Sequence, residues 1–90
     1  MTTLLNLLHT QSPVTVTEDE LEDLLGKASV VREESTGVAG VIRVMTVGEA
    51  VLVQEQTPAR ELLIRRRRDI AEANSFVDER LATYDRMWDG

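Results

Sequence analysis

Residues 41–56 decide the fold, and they read VIRVMTVGEAVLVQEQ. Two runs rich in β-branched residues flank the dipeptide Gly48-Glu49, a pattern typical of a β-hairpin closed by a two-residue turn. A type II′ turn needs a positive φ at its first central residue, which glycine adopts without steric cost. The turn also fixes the register of the two strands. The expected pairs are Val47 with Ala50, Met45 with Leu52 and Arg43 with Gln54.

Both faces of the predicted hairpin are apolar. One face carries Ile42, Val44, Val51 and Val53, and the other carries Val41, Met45, Val47 and Leu52. A hairpin with one face in water alternates apolar with polar residues, and this one does so only weakly. One face can pack on the helices of the chain. We therefore expect the other face to need more sheet, another subunit or a bound protein.

The segment before the hairpin carries the start signal of a short helix. Thr17 and Glu20 have the spacing of a capping box, in which each side chain bonds the backbone N–H of the other residue. We expect a helix over residues 18–25 that ends at Gly26, because glycine commonly follows the last helical turn. Residues 28–33 can add a third strand.

The segment after the hairpin predicts one long helix. Thr57 can cap its N-terminus, Pro58 suits its first turn, and no further proline or glycine occurs before Gly90. Apolar residues recur every seven positions along it, as they do in a coiled coil. This seam consists of Leu63, Ile70, Val77 and Tyr84, with Ala73, Leu81 and Trp88 on the neighbouring side.

The predicted length of this helix implies a partner. About thirty helical residues span roughly 45 Å, whereas a compact domain of this size is about 30 Å across. We therefore expect the helix to overhang its own domain. Its far end carries Tyr84 and Trp88, residue types that often anchor protein interfaces. The alternative is a break at Asn74-Ser75 that folds the segment into a helical hairpin.

Four consecutive arginines, Arg65–Arg68, lie within the predicted helix. In a helix they encircle the axis rather than line one side, because successive residues turn by about 100°. The first and last of them have acidic neighbours four residues away, but Arg66 and Arg67 fall on the seam. We expect those two to meet a carboxylate of this chain or of a partner, a nucleic-acid phosphate, or solvent.

Composition limits the function classes. The chain has 90 residues, no cysteine and a formal net charge of −6, which predicts one small domain without disulfides or thiolate metal sites. The acidity counts against nucleic-acid binding, which favours basic surfaces. The N-terminus lacks the basic start of a signal peptide, and no segment has the ~20 apolar residues of a membrane span. We expect a soluble cytoplasmic protein without a membrane partner.

Catalysis and metal binding are not expected. His9 is the only histidine, and it lies near a terminus, where the rigid partners of a general base or a metal ligand are scarce. The acidic residues 18–23 begin a helix, where negative charge stabilises the N-terminus. No glycine-rich phosphate loop and no nucleophile–base pair occurs at motif spacing. The sequence therefore predicts no enzyme, no cofactor and no metal site.

These observations combine into one hypothesis. We expect a single α+β domain over residues 1–90, with a flexible or docking segment at 1–16, a short N-terminal helix and an antiparallel hairpin within 17–56, and an amphipathic helix at 57–90. It would act as a non-catalytic accessory subunit that oligomerises or docks onto a larger protein through that helix and one hairpin face. A small oligomeric DNA-binding regulator of the antitoxin type, using Arg65–Arg68, is the alternative. The predicted partner contacts are Leu63, Arg66, Arg67, Ile70, Val77, Leu81, Tyr84 and Trp88.

Overall fold

The computed structural model of this chain describes residues 13–36 and 40–89, and for residues 87–89 it describes the backbone alone. In chain order the elements are β1 (Val14–Val16), α1 (Glu18–Lys27), β2 (Ser29–Ser35), β3 (Val41–Val47), β4 (Ala50–Gln56), β5 (Leu62–Arg67) and α2 (Ile70–Asp89). The five strands form one antiparallel sheet in the order β1-β5-β4-β3-β2.

The predicted α+β class is confirmed, but two parts of the predicted element order are wrong. The sheet is larger than a hairpin with room for a third strand. The first described element is β1 rather than a short N-terminal helix, because this strand pairs with β5 at the edge of the sheet. Residues 1–12, most of the expected docking segment, lie outside the described residues.

The hairpin of β3 and β4 has the predicted register. Val47 pairs with Ala50, and the pairing continues without interruption to Ile42 and Glu55. Gly48 has a φ of 59°, which satisfies the requirement of the predicted type II′ turn at its first central residue. The Gly-X dipeptide between two β-branched runs was therefore sufficient to predict this element.

Helix α1 begins at the predicted capping box. The Thr17 hydroxyl accepts from the backbone N–H of Glu20 at 3.2 Å, and the Glu20 carboxylate accepts from the backbone N–H of Thr17 at 3.0 Å. The helix continues past Gly26 to Lys27, so it is two residues longer than predicted. It continues because the N–H of Ala28 still donates to the carbonyl of Leu24 at 2.9 Å before the chain extends into β2.

The chain itself covers both faces of the β3–β4 hairpin. We call the two buried clusters the α1-side core and the α2-side core. The α1-side core consists of Val14, Val16, Leu24, Met45, Ala50, Leu52 and Ile64. The α2-side core consists of Ile42, Val44, Val51, Val53, Ala73 and Val77. The expectation that one hairpin face needs more sheet, another subunit or a bound protein is therefore wrong, because α1 folds back onto that face and buries Leu24 there.

The predicted helix start at Thr57-Pro58 is a β-turn between β4 and β5. The N–H of Arg60 donates to the carbonyl of Thr57 at 2.8 Å, and Arg60 has a φ of 66°. This is the geometry of a three-residue hairpin loop that ends in a left-handed residue. Proline at the second position of a turn needs the same φ as proline at the start of a helix. The same dipeptide therefore fits both structures, and the helical interpretation was wrong.

Strand β5 replaces the first part of the predicted helix. It pairs with β4 on one side and with β1 on the other. Helix α2 begins only at Ile70, where the carboxylate of Asp69 accepts from the N–H of Glu72 at 2.8 Å. Asp69 and Glu72 have the same three-residue spacing as the capping box of α1, so the sequence did contain the correct start signal.

Helix α2 is shorter than predicted and passes through Asn74 and Ser75 without a break. Its 20 residues span about 30 Å rather than 45 Å, so the helix is too short for the predicted overhang. Neither helix of the described chain has the length and apolar character needed to cross a membrane.

Candidate functional site

The eight predicted partner contacts do not form one surface. Three of them, Leu63, Arg66 and Arg67, lie on β5, and the other five, Ile70, Val77, Leu81, Tyr84 and Trp88, lie on α2. Val77 and Tyr84 are buried in the chain's own core, and Leu81 packs against the α2-side core. Val77 and Tyr84 are thus covered by the chain itself, whereas Leu81 is partly exposed. For Ala73, Val77, Leu81 and Tyr84 the predicted apolar helix face is present, and it packs on this chain's own core.

The two ends of the predicted seam differ from its middle. Leu63 is a strand residue that pairs with Thr15 and Glu55. Ile70 is 43% exposed at the first position of α2. The side chain of Trp88 lies outside the described residues.

The arginines 65, 66 and 67 lie on alternating sides of the sheet, and Arg68 follows the end of β5. Arg65 and Arg67 pair with Val53 and Val51, so they lie on the α2 side, whereas Arg66 pairs with Leu52 on the α1 side. Successive strand residues point to opposite faces, so the run does not form one basic surface.

Two of these arginines bracket an aromatic ring. The guanidinium carbons of Arg65 and Arg67 lie 4.9 and 4.6 Å from the ring centroid of Phe76, within the range of cation–π contact. Arg68 is exposed and forms ion pairs with Asp69 at 3.6 Å and Glu72 at 3.7 Å. The arginines 65, 67 and 68 are thus engaged by aromatic or acidic groups of the same chain.

A buried carboxylate lies between the sheet and α2. Glu55, on β4, is 0% exposed and receives hydrogen bonds from three side chains. The Arg65 guanidinium donates to one carboxylate oxygen at 2.7 Å. The other oxygen accepts from Arg80 at 2.7 and 3.1 Å and from the Tyr84 hydroxyl at 2.5 Å. We call these four residues the Glu55 cluster.

The charge of the Glu55 carboxylate is compensated by its three donors. Burial alone would raise the pKa of Glu55, but hydrogen bonds from Tyr84 and Arg80 and the charges of Arg80 and Arg65 lower it below its ordinary value. The carboxylate is therefore ionised at neutral pH. Burial and the hydrogen bond to Glu55 raise the pKa of Tyr84, which keeps its hydroxyl protonated as a donor.

The Glu55 cluster is suited to joining elements rather than to catalysis. Both carboxylate oxygens already accept hydrogen bonds, and the cluster contains no nucleophile beside a free base. It connects β4, β5 and α2 through one buried charge. Among the described residues, no group of three or more histidine, cysteine, aspartate or glutamate side chains is placed to hold a metal ion.

Sequence reasoning named Tyr84 but missed Glu55. Arg80 lies one helical turn before Tyr84, and its guanidinium carbon lies 5.3 Å from the centroid of the Tyr84 ring. The signal that could have revealed more is an arginine and a tyrosine, four residues apart, on an otherwise apolar helix face. Such a pair inside a core needs an anion, and Glu55 supplies it.

The outer side of β2 is a second distinctive feature, which we call the β2 edge. This strand has seven residues, Ser29–Ser35, and in the described part of the chain it pairs with β3 alone. Val30 and Val31 are 46% and 50% exposed. The register shifts between Val30 and Arg32, which places a β-bulge near the beginning of the strand. The β2 edge therefore presents backbone hydrogen-bonding groups and apolar side chains together.

The charged side chains of β2 have partners within the chain. Arg32 donates to Asp78 of α2 at 2.8 Å and also bonds the side chain of Asn74 at 3.3 Å. Glu33 accepts from Arg43 of β3 at 2.6 Å. Charged residues often protect an edge strand from pairing with other chains. Here two of them are held against the neighbouring strand and helix.

Comparison with known proteins found no match: no protein-family model, no curated protein and no solved structure is significantly similar to this chain.

Proposed function

We propose that this chain is a non-catalytic accessory subunit that works by protein–protein contact, either with copies of itself or docked onto a larger protein. The β2 edge is the observation that carries this proposal. A seven-residue edge strand offers a row of backbone donors and acceptors to an added strand, and half-exposed valines favour its burial.

The size of the chain supports the same proposal. A domain of 90 residues is near the lower limit at which one core is stable by itself. Its core contains mainly aliphatic side chains, with Tyr84 as a fully buried aromatic. Assembly stabilises such a domain, because a partner that binds only the folded state shifts the folding equilibrium towards it.

The end of α2 supplies a second, smaller argument. The backbone remains helical for five residues after Tyr84, to Asp89, and the described residues Asp85 and Arg86 are exposed. This last turn follows Tyr84, which is the last buried residue among those whose side chains the structure describes. Trp88 lies in it, one helical turn after Tyr84, and a tryptophan at such a position suits a protein contact.

The DNA-binding alternative is less well supported. It depends on Arg65–Arg68 acting as a basic surface, and the first three of these residues are divided between two faces of the sheet. The carboxylate of Glu55 neutralises Arg65, and Asp69 and Glu72 neutralise Arg68. A phosphate backbone attracts a continuous positive surface, which this arrangement does not provide.

The test is the size of the protein in its own cells. The full chain, expressed at its natural level, should fractionate from a gentle extract as a species well above 10.1 kDa. Val31→Lys places a charge on the β2 edge and should reduce the amount of the large species at least several-fold.

Ile70→Lys is the matched control. Ile70 is similarly exposed, at 43%, but belongs to the helix, so this variant should retain the large species. A wild-type protein that elutes as a monomer would contradict the accessory role. Loss of the large species in Ile70→Lys but not in Val31→Lys would show that docking uses the helix and not the β2 edge.

A further inference from the structure

We infer that the occupant of the β2 edge is a second copy of this chain, paired antiparallel with β2 across a two-fold axis at Glu33. The two five-stranded sheets would then form one continuous sheet of ten strands. This inference rests on the proposed function and identifies the partner at the same edge.

Symmetry restricts how two β2 strands can pair. In a single sheet, residues directly opposite each other point to the same face. A two-fold axis perpendicular to the sheet must therefore pass beside one residue, which faces its own copy. The residue before it then lies opposite the residue after it in the other copy, and the same holds further out. The central residue therefore specifies the whole register.

The charges of β2 distinguish among the possible residues at the centre of the register. With Glu33 at the centre, Arg32 lies opposite Glu34 of the second copy, and this pair occurs twice. Each of the registers centred on Arg32, Glu33 or Glu34 places two like charges opposite each other at the centre, but only the Glu33 register also pairs opposite charges. Opposite charges across a strand pair are favourable, and like charges directly opposite are unfavourable. The register centred on Glu33 is therefore the one that β2 supports.

The charged side chains on and beside β2 are compatible with the register centred on Glu33. Within one chain, Arg32 and Glu34 lie on the same side of the strand, 3.8 Å apart. Two copies would join them into an alternating group of four charges. Each Glu33 carboxylate is 2.6 Å from Arg43 of its own chain, and this guanidinium offsets the repulsion between the two central glutamates.

The bulge and the exposed valines agree with this placement. The register shift lies between Val30 and Arg32, so it falls at the margin of the paired stretch and leaves residues 32–34 regular. Val31, which is 50% exposed, would lie beside Ser35 of the second copy. Pairing would thus remove apolar surface from water next to the charged centre.

Single cysteines can report the register, because the chain has none of its own. Residues directly opposite in antiparallel strands have Cα atoms about 4.5–5.5 Å apart, within the roughly 4.4–6.8 Å that a disulfide spans. The purified Glu33→Cys variant should therefore form a disulfide-linked dimer under mild oxidation. Glu34→Cys is the matched control. Its two copies would be about 8 Å apart by strand geometry and should remain unlinked.

A charge reversal tests the interface without a covalent link. Purified wild-type chain should sediment as a dimer at micromolar concentration. Glu34→Arg places two arginines opposite each other and should raise the dimer dissociation constant at least tenfold. Glu49→Arg makes the same charge change in the exposed β3–β4 turn and should leave the dimer unchanged.

The outcomes separate this inference from the proposed function. A purified chain that stays monomeric, while the cell extract still shows a large species, would overturn the second copy as occupant and leave the accessory role intact. A dimer in which Glu34→Cys links and Glu33→Cys does not would overturn the register. A dimer that neither cysteine links and that Glu34→Arg does not weaken would overturn the β2 edge as its interface.

Discussion

Glu55 shows how a full charge is accommodated inside a small aliphatic core. Its carboxylate has no exposure to water, yet it receives hydrogen bonds from Arg65, Arg80 and Tyr84. An unpaired charge in that position would cost several kcal/mol. The donors come from β5 and α2, so the carboxylate is compensated only when both elements are in place.

Tyr84→Phe tests the contribution of one donor. The variant keeps the aromatic ring that fills the core but removes the hydroxyl that bonds Glu55. We expect the free energy of unfolding to fall by about 2 kcal/mol, since the bond is buried and its acceptor is charged. Urea denaturation monitored by circular dichroism measures this. Thr83→Val, at the neighbouring position where the hydroxyl bonds a helix carbonyl near solvent, should cost much less. Equal losses in the two variants would contradict the role assigned to the Glu55 cluster.

At the scale of elements, the chain is predictable where local chemistry and pairing agree. The turn at Gly48 and the capping box at Thr17 each depend on residues close in sequence, and both were predicted. Residues 62–67 were not predicted as a strand, because Leu and Arg favour helices and occur on both faces of β5. Only pairing with β4 and β1 makes this segment a strand, and pairing partners are not visible in a local pattern.

The β4–β5 turn contains a residue in an unfavourable conformation. Arg60 has a φ of 66°, where glycine is unstrained and other residues usually are not. We expect Arg60→Gly to stabilise the protein by up to about 1 kcal/mol, despite the greater chain entropy of glycine in the unfolded state. Thermal and urea unfolding measure the change. Arg60→Ala keeps the strain and removes the charge, so it should not stabilise. A gain in Arg60→Ala equal to that in Arg60→Gly would attribute the effect to charge instead.

At the scale of the whole molecule, the candidate site was the least predictable feature. The residues that bond Glu55 follow it by 10, 25 and 29 positions, and no motif connects residues across such varied spacings. The β2 edge was equally hidden, because the sequence does not show which strand lies at the end of a sheet. Both features result from the order of the strands, which depends on contacts distant in the chain.

The pH dependence of the free energy of unfolding tests whether Glu55 is ionised in the folded protein. The folded state lowers the pKa of Glu55 below its ordinary value of 4.5, so the unfolded chain binds this proton more readily. The cluster's contribution is therefore fully present above about pH 5 and is lost as the pH falls through the lower pKa of the folded state. The difference in unfolding free energy between wild type and Glu55→Gln should be constant from pH 5 to 7 and should shrink below pH 4. A difference independent of pH down to pH 2 would contradict an ionised Glu55.

The position of β1 has a consequence for the order in which the chain folds. Strands β2 to β5 follow one another through connections at residues 36–40, 48–49 and 57–61, whereas β1 must find β5 across the whole meander, as in the pair Val14–Ile64. Closing a loop ten times longer costs roughly 2 kcal/mol more in chain entropy. We expect the meander to form the nucleus and β1 to arrive last. Until it does, Ile64 lacks its β1 neighbour, and the six-residue β5 is itself an edge strand of the sheet.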